Sequence, residues 1–131
     1  TRYAARAETL LDGRVLMCGG YDGTNWYNQC HIYTPGTNTW AAAAPLPVNA
    51  ATIVFHRTPS GKVLSCGGTT TGQFSRCDLY NPATNTWTQT ADVPRATPVD
   101  YTAIWRGMRS ARMGDGRIMI CRSNWCYAYS E

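Results

Sequence analysis

The sequence predicts an all-β fold assembled from a repeated four-stranded antiparallel unit, and three observations carry that expectation. First, the chain aligns on itself. Gly13–Gly20 (GRVLMCGG) recurs as Gly61–Gly68 (GKVLSCGG), and Cys30–Trp40 (CHIYTPGTNTW) recurs as Cys77–Trp87 (CDLYNPATNTW). The period of about 47 residues belongs to modular β architectures. Second, 12 Gly and 7 Pro punctuate 131 residues that also hold 8 Tyr, a composition of turns and strands. Third, apolar residues come in short runs, none near the ~20 residues of a bilayer-spanning helix. Plentiful aromatic and β-branched residues and a low net charge argue against disorder.

The first unit opens with strand a at Ala5–Leu11. Propensity alone would allow a helix there, but its counterpart Thr52–Arg57 is β-branched, which selects a strand. An Asp12-Gly13 turn leads to strand b, Val15–Cys18, apolar on both faces as expected of a strand between stacked sheets. Gly19-Gly20 ends it, because Gly permits positive φ and close backbone approach. Strand c is His31–Tyr33. A Pro/Gly/Asn turn then delivers strand d, which starts at Trp40, a residue expected to be buried. The second unit repeats this order: Thr52–Arg57, Ser60-Gly61, Val63–Cys66, Gly67-Gly68, Asp78–Tyr80, Trp87. The third is degraded. It has a strand at about Arg106–Met113, an Asp115-Gly116 turn, Ile118–Cys121 and Cys126–Tyr129, with Arg122-Ser123 replacing Gly-Gly. It stops at Glu131 before any TNTW, so its fourth strand is missing. About seven extra residues within Ala96–Trp105 separate it from the second unit. The units are approximately 1–47, 48–95 and 96–131, one domain in all.

The order D-G-R-V-L-x-C-G-G, an Ile-Tyr strand, then P-x-T-N-T-W resembles the kelch motif, in the form found in galactose-oxidase-like and other secreted kelch proteins. The resemblance covers nearly the whole chain, strongly in the first two units and weakly in the third. It implies blades of a β-propeller, with strand a lining the central channel. It also implies a blade core made of Gly19, Gly20, Tyr33, Trp40, Gly67, Gly68, Tyr80 and Trp87. Propellers have four to eight blades, so fewer than three complete blades form an incomplete ring, completed by another chain or segment that covers the open edge. The start at Thr1, without an initiator Met, reads as a processed or excised product.

Six cysteines allow fifteen connectivities. They lack paired C-x₂-C knuckles, and only His31 and His56 could complete a metal site. With the kelch blades in place, each sequence-local pair falls at the end of strand b and the start of strand c. Antiparallel neighbours there lie within disulfide reach, giving Cys18–Cys30, Cys66–Cys77 and Cys121–Cys126. Six reduced core cysteines are the alternative. The bonds would imply an oxidising compartment and a secreted, extracellular protein.

Charge and motifs narrow the function. The net charge of +4 arises from twelve basic residues, eleven of them Arg, against eight acidic ones. Six arginines between Arg95 and Arg122 face only Asp100 and Asp115, so Arg106, Arg109 and Arg112 are candidate anion contacts. No Lys-rich run or recognisable motif supports nucleic-acid binding. The galactose-oxidase-like form raises copper-radical chemistry, but neither His31 nor His56 sits in a matching ligand motif, and Tyr33, Tyr80 and Tyr129 have a packing explanation. No G-x-S-x-G marks a serine hydrolase, and no phosphate loop is present. The expectation is a non-enzyme with no catalytic residue, metal or cofactor. The b–c loops carry Trp26, Tyr27, Phe74 and Trp125, aromatics that suit a contact surface pinned by disulfides. The leading expectation is an extracellular structural or assembly module that joins further copies or neighbouring protein segments. The alternative is a secreted domain recognising a glycan or a protein through these loops; a fragment of a copper-radical oxidase ranks last. Trp40→Ala is expected to cost ~3–5 kcal/mol as a core truncation, whereas Trp26→Ala should spare folding and weaken binding.

Overall fold

Alternation and turn chemistry resolve into three separate antiparallel sheets in a computed structural model that describes residues 2–49, 54–67, 75–93, 108–122 and 125–131. The first holds β1 (Arg6–Thr9), β2 (Val15–Cys18), β3 (Cys30–Thr34) and β4 (Thr39–Ala43) in sequential order. The second repeats it with β5 (Val54–Arg57), β6 (Val63–Cys66), β7 (Cys77–Asn81) and β8 (Thr86–Gln89). The third holds β9 (Met108–Arg112), β10 (Ile118–Arg122) and β11 (Trp125–Tyr129). These are the expected all-β blades, two four-stranded and one three-stranded, in an open ring. Phe74, Gly68, Arg106 and the 96–105 insertion lie outside the described residues.

Two short motifs set the hairpins. In the a–b turn of the first blade, Arg14 N–H and Nε donate to the Asp12 carboxylate at 3.1 and 2.7 Å. Arg117 and Asp115 repeat this in the third blade at 3.1 and 2.8 Å. The glycine between each such pair adopts positive φ, +84° at Gly13 and +87° at Gly116, which a side chain would strain. The c–d turn is built by TNTW. Asn38 and Asn85 take left-handed φ of 53° and 52°, a conformation Asn tolerates better than most residues. Tyr33 and Tyr80 hydroxyls donate to their Oδ1 atoms at 2.9 and 2.8 Å. The flanking threonine hydroxyls pair at 2.7 Å in both blades.

Cysteines stand opposite each other in the b–c ladders, and all three bonds are formed: Cys18–Cys30, Cys66–Cys77 and Cys121–Cys126, each with Cα atoms 4.1 Å apart. The core lies between blades rather than within one. Leu16, Ile32 and the Cys18–Cys30 bond of the first blade meet Phe55, Val63 and Tyr80 of the second. Val54, Leu64 and the Cys66–Cys77 bond of the second meet Ile118, Ile120 and Tyr129 of the third. After strand d the chain turns back into each joint. Leu46 N–H donates to Asn28 O and Val93 N–H to Ser75 O, both at 2.8 Å, and each side chain is buried. Burying such a residue is worth ~1.5–3 kcal/mol.

One expectation is corrected. Trp40 is not blade core: it is 55% exposed, and its ring partner Tyr33 is half-buried. In the second blade Tyr80 is 0% exposed, and Trp87 packs against the first blade's core with its Nε1 donating to Ala44 O at 2.9 Å. The indole of this motif is partly covered by the preceding blade, not by its own sheet. Likewise β2 alternates between buried and half-buried residues, whereas β6, with a blade on each side, is buried throughout.

Candidate interaction faces and the inner-strand cleft

The joint between the first two blades defines what a covered blade face requires. Ala44 donates its N–H to Asn85 Oδ1 at 2.9 Å and accepts the Trp87 indole N–H, so one residue after strand d satisfies two groups of the next blade. At the a–b turns, a Cβ placed on Gly61 would run into Leu11, and one on Gly116 into Pro59. Each glycine thus admits the turn residue of the preceding blade. A Cβ on the corresponding Gly13 meets nothing within 4 Å. Trp40 and Gly13 therefore mark one face of the first blade that is shaped like its counterparts but uncovered. At the other end, the buried Cys18–Cys30 and Cys66–Cys77 bonds contrast with Cys121–Cys126, whose Cys126 is exposed. In the first two blades the following blade covers that bond.

The b–c loop of the first blade is tightly ordered. Asp22 accepts the N–H groups of Thr24 and Asn25 at 2.8 and 2.7 Å and the Tyr27 hydroxyl at 2.5 Å. Those donors hold the Asp22 carboxyl far below its ordinary value, the Tyr27 hydroxyl first, and the same hydrogen bond in turn raises the Tyr27 phenol. Trp26 stacks on Tyr21 with centroids 4.5 Å apart, and the Arg2 guanidinium lies 4.2 Å from the Tyr27 ring centre. Trp125 departs from its expected place: it begins β11, paired with Arg122, and packs beside the core of the second and third blades. The third blade lacks the long loop of the first because Arg122 continues the strand where Gly-Gly would end it.

Of the candidate arginines, Arg109 and Arg112 lie on β9. Arg109 lines a cleft of about 440 Å³ over the inner strands β1, β5 and β9, together with Arg6, Glu8, His56 and Ser110. There His56 Nε2 is 3.0 Å from Ser110 Oγ, and His56 Nδ1 is 3.7 Å from Glu8 Oε2. Sequence reading missed this convergence. Glu8 and His56 occupy equivalent repeat positions, opposite Leu16 and Leu64, which is a usable signal; Ser110 sits one position earlier, opposite Ile120.

Residues 9–47 match the Kelch motif family. The chain is 36% identical over 63 residues to Kelch-like protein 35 of Homo sapiens, a match covering 48% of this chain and 11% of that protein. It is 46% identical over 37 residues to Kelch-like protein 35 of Mus musculus, covering 28% of this chain and 6% of that protein. In structure it is similar to a novel fungal alcohol oxidase of the AA5 family solved in complex with copper. That match has a TM-score of 0.69 at 21% identity and covers 94% of this chain and 28% of the oxidase chain. The chain thus spans a small part of each protein it matches, and the last likeness is one of fold. Among the described residues no three His, Cys, Asp or Glu side chains converge, and His31 and His56 stand in different sheets.

Proposed function

We propose that this chain, a run of kelch-type blades, acts through its blade faces as an interaction module that takes up further kelch-type blades in an extracellular assembly. One observation carries the reading: Trp40 is 55% exposed on a face whose counterpart, Trp87, is covered by the preceding blade. A half-exposed indole beside an empty Gly13 is a docking surface for a segment that ends strand d with a small residue and an apolar anchor, as Ala44 and Leu46 do. The three disulfides support an oxidising, extracellular setting. The test is oxidative footprinting of Trp40 and thiol exchange at Cys121–Cys126, in protein isolated without denaturation and in the isolated chain. Both sites should be protected in the former and reactive in the latter. Equal reactivity in both preparations would refute the assembly reading.

A second reading has its own support in the first blade's b–c loop. Trp26 and Tyr27 are held by Tyr21, Asp22 and Arg2, a preorganised aromatic surface of the kind that recognises a glycan or a protein. Trp26→Ala would then weaken binding on a glycan array or to a protein partner while leaving the melting temperature close to that of the parent.

A further inference from the structure

The inner-strand cleft holds an arrangement that the blade faces do not use. One chemically active side chain comes from each innermost strand: Glu8 from β1, His56 from β5 and Ser110 from β9. The atoms are in a telling order. The imidazole turns Nδ1 toward the carboxylate and Nε2 toward the hydroxyl, at 3.7 and 3.0 Å. A carboxylate beside Nδ1 favours the tautomer protonated there, which leaves the Nε2 lone pair to accept the Ser110 proton. Base within hydrogen-bond reach of a nucleophile, and a third group orienting the base, is the geometric signature of an activated hydroxyl. The contact is partly shielded, with side chains 19% exposed at Glu8 and 26% at His56. Shielding strengthens the hold of Glu8 on a transient imidazolium.

We propose that Glu8, His56 and Ser110 form an acyl-transfer site that hydrolyses small esters bearing a negative charge. Ser110 is the nucleophile, His56 the general base and then acid, and Glu8 the residue that positions His56. The preference for charge comes from Arg6 and Arg109. They line the same cleft from matching register positions, opposite Cys18 and Cys121. A guanidinium carries five N–H donors, so an existing contact leaves others to meet an anionic substituent or a developing oxyanion. In the reaction, Ser110 Oγ bonds to the ester carbonyl carbon as its proton passes to His56 Nε2. The ester C–O bond then breaks and the leaving alcohol takes that proton. Water attacks the acyl-Ser110, its proton again going to His56 Nε2, which returns it to Ser110 Oγ as the carboxylic acid departs. A cleft of about 440 Å³ suits a small substrate. The blade-assembly reading is independent of this activity.

The experiment uses the full chain with its disulfides intact. The probes are a fluorophosphonate and the para-nitrophenyl esters of acetate and succinate. The expected results are a single phosphonate adduct mapped to Ser110, its loss in Ser110→Ala, and faster hydrolysis of the succinate ester. His56→Gln should slow both labelling and hydrolysis by about 100-fold or more, the range of a lost general base, with the melting temperature of each variant measured in parallel. Glu8→Gln should lower kcat more than it raises KM, and Arg109→Ala should narrow the preference for succinate over acetate. A folded parent chain that gains no adduct at Ser110 would overturn the proposal. So would an adduct that forms at the same rate in His56→Gln, because the three residues would then only pin neighbouring sheets together.

Discussion

The first and second blades carry the same tyrosine–tryptophan pair in similar geometry, but Tyr80 is buried and Trp87 partly buried, whereas Trp40 is exposed. Ring centroids lie 5.0 Å apart at 39° for Tyr33 and Trp40, and 5.1 Å apart at 45° for Tyr80 and Trp87. The local motif therefore builds the pair unaided. Burial is conferred from outside, by Ala44 and Leu46 of the preceding blade. A motif tryptophan in such a repeat is an interface residue by design of the fold, and its energetic weight depends on whether a neighbour is present. Burial also raises the Tyr80 phenol above its ordinary value.

The sharpest way to break this comparison is truncation. Trp87→Ala should cost ~3–5 kcal/mol in urea unfolding of the chain, the range of a large core truncation. Trp40→Ala should cost less than ~1 kcal/mol, as an exposed contact does. Equal costs would mean that the pair stabilises its own sheet instead of the joint.

The glycines give a smaller, graded series. Alanine at Gly13, Gly61 or Gly116 meets the same positive φ, a strain of ~1–2 kcal/mol. At Gly61 the new methyl also meets the tip of Leu11, which can swing aside, and at Gly116 the Pro59 ring, which cannot. The losses in unfolding free energy, read from urea melts, should rise from Gly13→Ala to Gly61→Ala to Gly116→Ala. The last should exceed the first by ~1–3 kcal/mol, the range of an overpacked site. If Gly13→Ala were the most harmful, that face would not be open.

The smallest effect separates the asparagines. Glycine keeps the left-handed φ, so Asn38→Gly and Asn85→Gly isolate the side-chain bonds. Asn85→Gly strands the buried Tyr80 hydroxyl and the Ala44 N–H, and should cost ~1–2 kcal/mol more than Asn38→Gly by thermal unfolding. A difference near zero would remove Ala44 from the account.

Most of the scaffold was legible because it is local. Turn residues, strand polarity and cysteine spacing each act within one hairpin, so β1 to β11 and all three disulfides follow from a self-alignment and the kelch resemblance. What was not legible depends on neighbours. TNTW reads identically at Trp40 and Trp87, and nothing within the motif says which indole has a blade in front of it. Trp125 was misplaced because Arg122 extends its strand, shortening the loop that Gly-Gly would open. The Glu8, His56 and Ser110 convergence joins residues 48 and 54 positions apart; no linear motif spans such a set, and only the pairing registers bring it together.

The Ala44 staple has a geometric consequence. One face of a blade gives a main-chain N–H and C=O, and the opposite face receives them through an asparagine and an indole, so the joint is heterologous. Two equivalent faces cannot satisfy each other by a twofold axis, and association along this joint runs head to tail with a fixed polarity. Such a series ends only when its last member meets its first; where the rotation per blade fails to close, it continues as an open filament.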